Sequence, residues 1–216
     1  MALKYCTVSV THYQQNCSIA WCENTRQAAV IDPGGDVSRL LNKIKDLGVE
    51  LKQVLLTHGH MDHVGGAAQI AAELDLPIIG PAIEDKFWMD ALDGQASMMG
   101  FEAQPPLVPT RWLKDGEAIS IGECELSVIH CPGHTPGHVV FYSADAQRAF
   151  VGDVLFAGSI GRTDFPQGDL TTLLNSIRNK LFVLGDDIAF VPGHGPESNF
   201  GAERQTNPFV ADHSFG

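Results

Sequence analysis

Four side chains able to bind a divalent cation fall within six positions: His58, His60, Asp62 and His63, in the run THGHMDH at 57–63. Two imidazoles two residues apart share one face of an extended backbone but lie on opposite sides of a helix, so His58 and His60 belong at a strand end. Lys52–Thr57 (KQVLLT) reads as that strand, and Val64–Leu74 as a helix that starts just past His63. Asp62 is placed at the turn either to cap this helix or to bind metal. Gly59, Gly65 and Gly66 remove the Cβ atoms that would hold backbone away from a ligand. Single histidines are commonly core or surface residues, but four potential ligands on one glycine-lined turn suit one or two divalent ions.

Other histidines and aspartates follow strands of their own. His134 lies in GHTPGH (133–138) after a strand at Cys124–Cys131, Asp153 closes RAFVGD (148–153), and His194 lies in PGHGP (192–196) after Ile188–Val191. Asp32 ends a strand at Ala28–Asp32 in the same way. Ligand residues gathered from strand ends at one sheet edge are a common α/β arrangement. The elements needed to carry them are legible. Strands are expected at Lys4–Val10, Cys17–Trp21, Pro77–Gly80 and Ala118–Ile121, with a hairpin formed by His138–Tyr142 and Arg148–Asp153. One helix runs from an Asp36 N-cap to Leu47 with Gly48 as stop, a short one covers Ile83–Leu92, and a third is capped by Asp169. The methionines and aromatics between 82 and 112 serve either as core or as the wall of a substrate pocket. No low-complexity linker interrupts the chain, so residues 1–216 read as a single α/β domain.

Composition narrows the function classes. A net charge of -12, from 14 basic and 26 acidic residues, argues against nucleic acid and anionic membrane surfaces as partners. Neither a signal peptide nor a membrane span is expected, which makes the cytoplasm the default location. The five cysteines, Cys6, Cys17, Cys22, Cys124 and Cys131, are odd in number and contain no C-x-x-C pair, so they read as buried thiols rather than a disulfide framework. Cys131, three residues before His134, is also expected to be a packing residue.

Taken together, THGHMDH at 57–63, GHTPGH at 133–138, Gly152-Asp153 and PGHGP at 192–196 resemble the metallo-β-lactamase superfamily along nearly the whole chain. The resemblance implies a four-layer αββα sandwich with metal at one sheet edge. It assigns His58, His60 and His134 to a first metal and Asp62, His63 and His194 to a second, with Asp153 bridging them. Asp62 and Asp153 are then the acidic residues of the catalytic centre. Zinc is the expected ion, one or two per chain, with iron or manganese as alternatives. Between two such ions a water ionises near neutral pH and becomes the nucleophile, while the metals stabilise the oxyanion that follows. Asp32 is expected to orient a ligand from behind. His138 is the other residue expected to support the site from outside the ligand set, and His12, His130 and His213 are expected to be structural.

Within the superfamily, Leu155–Asp169 (LFAGSIGRTDFPQGD) is similar to the loop of type II glyoxalases, the hydroxyacylglutathione hydrolases, that carries a basic glutathione contact. Here that residue is Arg162. The short bacterial form, without the C-terminal helical domain of longer enzymes, matches best. The implied reaction is hydrolysis of a small-molecule glutathione thioester such as S-lactoylglutathione. A thioester suits a site without an obvious general acid, because a thiolate of pKa about 8.5 can leave unprotonated. GRTDF at 161–165 also resembles persulfide dioxygenases, which implies the alternative of a single iron held by His58, His134 and Asp153 and oxidation of glutathione persulfide. A non-catalytic metal-binding module is the third reading.

Overall fold

The computed structural model describes residues 2–212. Two six-stranded sheets form its centre. The first runs in sequence order through β1 (Leu3–Val10), β2 (Gln15–Cys22), β3 (Gln27–Ile31), β4 (Glu50–Leu55), β5 (Ile78–Ala82) and β6 (Arg111–Leu113). Its strands are antiparallel as far as β3 and parallel from β3 onward. The second has the order β14-β13-β10-β9-β8-β7, built from β7 (Ala118–Ile121), β8 (Cys124–His130), β9 (Val139–Ser143), β10 (Arg148–Gly152), β13 (Ala189–Pro192) and β14 (Ser198–Asn199). A two-stranded hairpin, β11 (Leu155–Phe156) with β12 (Ser159–Ile160), stands apart from both.

Alternation along each strand dictates the layering. In β3, Ala28 and Val30 face α1 (Val37–Leu47) and α3 (Ala67–Leu74), packing with Leu40, Ile44 and Ile70. The intervening Ala29 and Ile31 face the other sheet, where they join Leu126, Val128, Phe141 and Phe150. In β9 and β10 the second set, Val140, Ala149 and Val151, faces α6 (Leu170–Ser176) and α7 (Phe200–Thr206) through Leu173 and Phe200. Strands buried on both faces must be apolar at consecutive positions, which is why AAVI, VVF and AFV read as unbroken runs. The result is the expected four-layer αββα sandwich.

Several boundaries differ from the sequence expectation. β4 ends at Leu55, so Leu56 and Thr57 already belong to the ligand loop. The next helix is split: α2 (Met61–Val64) contains Asp62 and His63, and α3 starts afresh at Ala67. Gly66 makes this break possible, since a Cβ there would sit 2.8 Å from both the Pro33 carbonyl and Val37. Asp62 therefore caps nothing. Asp36 stands at the N-cap of α1 as expected, its carbonyl accepting from the Leu40 N–H at 3.1 Å, but its carboxylate makes no cap bond and accepts from the Thr11 N–H at 3.0 Å instead. Asp169 does cap, accepting from Thr172 N–H at 2.7 Å. The single helix expected at Ile83–Leu92 is a 3₁₀ turn (Ile83–Asp85), then α4 (Lys86–Asp90) and α5 (Leu92–Met99). The five cysteines are unpaired. Cys131 packs in the outer core, where burial pushes its thiol up to about 12. No helix among the described residues is long and apolar enough to cross a membrane.

Phe141 is fully buried between the sheets, so Phe141→Ala is expected to cost about 3 to 5 kcal/mol in urea-induced unfolding. A loss below about 1 kcal/mol would show that the inter-sheet core is not packed as described.

Candidate metal centre

Five strands of the two sheets end at one rim, and each delivers a polar side chain there. Asp32 follows β3, His58 and His60 follow β4, His134 follows β8, Asp153 follows β10 and His194 follows β13. The helical turn α2 adds Asp62 and His63. Gly193 lets them converge, since a Cβ there would fall on the Asp153 carboxylate and the His63 ring.

Of the seven residues that the family resemblance assigns, six form two groups and Asp153 stands between them. His58 Nε2 lies 3.1 Å from His60 Nδ1, which in turn lies 3.0 Å from His134 Nε2. In the second group, His194 Nε2 is 3.2 Å and His63 Nε2 3.8 Å from Asp62 Oδ2. Asp153 stands between the groups, with Oδ1 3.3 Å from His63 Nε2 and Oδ2 3.6 Å from His134 Nε2 and 3.8 Å from His194 Nε2.

The hydrogen bonds behind these rings fix where their protons sit. His134 donates from Nδ1 to the Arg162 carbonyl at 2.8 Å, and His194 from Nδ1 to the Tyr13 carbonyl at 3.1 Å. His63 donates from Nδ1 to Asp32 Oδ2 at 2.9 Å. Thr57 gives its hydroxyl proton to the same oxygen at 2.5 Å, so its Oγ1 must accept from His58 Nδ1 at 3.0 Å. In neutral rings, then, His58 and His134 turn bare Nε2 lone pairs toward His60 Nδ1. One proton on that nitrogen serves one of them and leaves the other a buried acceptor without a donor; one cation satisfies all three. The donor set thus fits a metal.

Electrostatics separate the two groups. Burial, reinforced by neighbouring imidazoles, drives His58 well below its ordinary value and His60 down to about 3, and burial also lowers His134. The trio is neutral. Burial works against the charged form of His63 too, but the Asp153 and Asp62 carboxylates outweigh it and raise the ring well above its ordinary value. His194 is raised by Asp62 and Asp153 against its burial. Asp62 and Asp153 are both held low, His63 and its neighbours offsetting the cost of burial.

Asp32 backs the centre as expected, accepting also from the Thr57 N–H at 2.7 Å. His138 stacks on His58 at 4.6 Å and accepts from the Asp153 N–H at 3.1 Å. His12 and His130 bond main-chain carbonyls away from the two groups, and His213 lies outside the described residues. Residues that the sequence reading did not single out complete the site: Thr57, the carbonyls of Tyr13 and Arg162, and the buried Asp85 and Gln95 under the ligand loop. Main-chain acceptors have no signature in a sequence. Thr57 alone carried a signal, standing directly before His58.

The centre floors a cleft of about 840 Å³. Trp88 and Phe165 meet the His60 ring edge-on at 4.6 and 4.9 Å, while Met98, Met99, Phe156 and Ile160 add apolar wall. Met98 is 80% exposed, so the 82–112 segment supplies both core, through Met89, and cleft lining. Arg162 reaches this wall, but its guanidinium lies 4.5 Å over the Phe165 ring and is paired with Asp164 at 2.9 and 2.8 Å.

Comparison with known proteins agrees with this geometry. Residues 10–194 match the model of the metallo-beta-lactamase superfamily, and the chain belongs to it. It is 45% identical over 204 residues to the hydroxyacylglutathione hydrolase GloC of Haemophilus influenzae, covering 94% of this chain and 96% of that one. Among solved structures, the BLEG-1 B3 metallo-beta-lactamase superposes with a TM-score of 0.88 at 32% identity, over 96% of this chain and 99% of that one. TTHA1623 in a di-iron-bound form superposes with a TM-score of 0.86 at 35% identity, over 94% and 99%.

The two groups should respond differently to pH. With their folded values raised, His63 and His194 hold protons that a cation must displace, so metal uptake there weakens as pH falls; the neutral trio has no such competition. Equilibrium dialysis from about pH 8 to about pH 5.5 is expected to lose one ion well before the other. Simultaneous loss of both would contradict this difference.

Proposed function

We propose that residues 1–216 form one metal-dependent thioester hydrolase domain that splits S-lactoylglutathione, or a related hydroxyacylglutathione, into a hydroxy acid and glutathione. One observation carries this reading: two donor groups joined by Asp153 lie on the floor of a largely apolar cleft. His58, His60 and His134 would hold one ion and Asp62, His63 and His194 a second, with Asp153 between them. Zinc is the ion proposed; iron and manganese also accept imidazole and carboxylate ligands. Once bound, the ions supply Lewis acidity, which ionises water near neutral pH and draws charge from a substrate carbonyl.

The chain's own residues supply the rest. Asp32 holds His63 directly and His58 through Thr57 in the tautomers that leave their Nε2 atoms free. Trp88, Phe165 and Phe156 limit water around the reacting carbon. Apart from the Ser159 hydroxyl, too weak an acid to protonate a leaving group readily, the hydroxyl and carboxyl side chains of the cleft are engaged elsewhere. Tyr13 gives its hydroxyl proton to the Met99 carbonyl at 3.3 Å, and both cleft carboxylates sit in the donor groups. This lining suits a leaving group that can depart as an anion, which a thiol of pKa about 8.5 does far more readily than an amide nitrogen. The similarity to GloC supports the same substrate class. The five unpaired thiols suit a reducing compartment, and we assign the reaction to the cytoplasm.

Oxidation of glutathione persulfide would need only His58, His134 and Asp153 around one iron. The second group, Asp62, His63 and His194, is compatible with either reaction; the similarity to GloC over nearly the whole chain is what favours hydrolysis. Iron-free, zinc-loaded protein is expected to release lactate and glutathione from S-lactoylglutathione without oxygen. The hydrolase reading fails if that preparation is inert while iron-loaded protein consumes oxygen with glutathione persulfide. Arg162 is proposed to meet an anionic part of glutathione by exchanging Asp164 for it. Arg162→Ala should then raise KM several-fold, about 3 to 10 times, with a smaller change in kcat. An unchanged KM would remove Arg162 from the glutathione contacts.

A further inference from the structure

Asp85 ends the 3₁₀ turn after β5 and is completely buried directly beneath the ligand loops. Its carboxylate accepts three hydrogen bonds. Oδ2 accepts from the Gly59 N–H at 2.9 Å and from the Thr135 hydroxyl at 2.8 Å, and Oδ1 accepts from the Gly137 N–H at 2.5 Å. All three partners are neutral donors. Burial pushes the carboxyl up to about 6, so the position carries a cost that no charged neighbour offsets.

The identity of the three partners gives that cost a purpose. Gly59 lies between His58 and His60, while Thr135 and Gly137 follow His134 in its own loop. One carboxylate therefore joins the two loops whose histidines meet at 3.0 Å. Both glycines are needed for the approach. A Cβ on Gly59 would come within 2.8 Å of the Trp88 Cβ, and one on Gly137 within 2.5 Å of the Asp85 main-chain nitrogen. Gln95 braces the first loop only, accepting from Met61 N–H at 3.0 Å and donating to the Gly59 carbonyl at 3.2 Å.

We propose that Asp85 is a positioning residue that clamps the loops bearing His58, His60 and His134, and so sets the affinity and coordination geometry of the cation they hold. This rests on the reading of those histidines as a metal site. The neighbouring amides and hydroxyl can all point at a carboxylate because it is acceptor-only at both oxygens. An amide in its place turns an NH₂ toward the Gly59 or the Gly137 N–H, so at least one of the two main-chain bonds is lost and the clamp loosens.

Cobalt(II) is the probe. Its affinity is read by competition with a chromophoric chelator, its geometry by the visible absorption spectrum, and stability separately by thermal melting. Asp85→Asn is expected to raise the Kd about 10- to 100-fold and to change the cobalt spectrum of a folded protein. Val128→Ala, a control in the inter-sheet core, is expected to lower Tm while leaving Kd and spectrum unchanged. Wild-type Kd and spectrum in Asp85→Asn would overturn the proposal, whatever its Tm. Should that variant not fold, Thr135→Val removes one of the three donors and is expected to raise the Kd by up to about 10-fold; an unchanged value overturns the clamp equally. A wild-type protein that takes up no cobalt overturns the metal reading itself, and the clamp with it.

Discussion

A buried lone pair that faces another buried lone pair needs something positive between them. This constraint organises the rim of the sandwich. His58 and His134 each spend their only proton on a group behind the ring, and both point a bare nitrogen at His60. The groups behind are as important as the ligands. Asp32 reaches His63 directly and His58 through Thr57, so one carboxylate helps orient rings in both donor groups. Two main-chain carbonyls orient His134 and His194.

The fold meets this constraint by placing rigid strand ends, from two sheets, around one point. Strands apolar on both faces lock the sheets between helices, so their ends have little freedom to drift. Asp62 and His63 sit on a separate helical turn, and their group is the one in which protons and cations compete. Cleft walls of tryptophan, phenylalanine and methionine then keep the centre in surroundings of low polarity, where charges act strongly.

Much of this was legible in the sequence because it depends on side-chain identity and period. The strand-end histidines and aspartates and the unbroken apolar runs could be read from residue types, whereas the αββα layering followed only from the resemblance to the superfamily. Other features have no such signature. The split between α2 and α3 depends on how closely Gly66 approaches Pro33 and Val37, which are distant in sequence. β6, β11, β12 and β14 are two or three residues long, too short to show a period. Asp85 looked like an ordinary helix residue, since its three partners come from two distant loops. Arg162 was singled out for its guanidinium, yet its carbonyl is the atom that touches the centre.

We propose that the seven side chains form two adjoining cation sites that share Asp153. Diffraction from zinc-loaded crystals at the zinc absorption edge tests it most directly. Two anomalous peaks are expected, one among His58 Nε2, His60 Nδ1 and His134 Nε2, the other among Asp62, His63 and His194, with Asp153 in contact with both. Zinc bound only at side chains outside this set, in crystals shown to be metal-loaded, would contradict it.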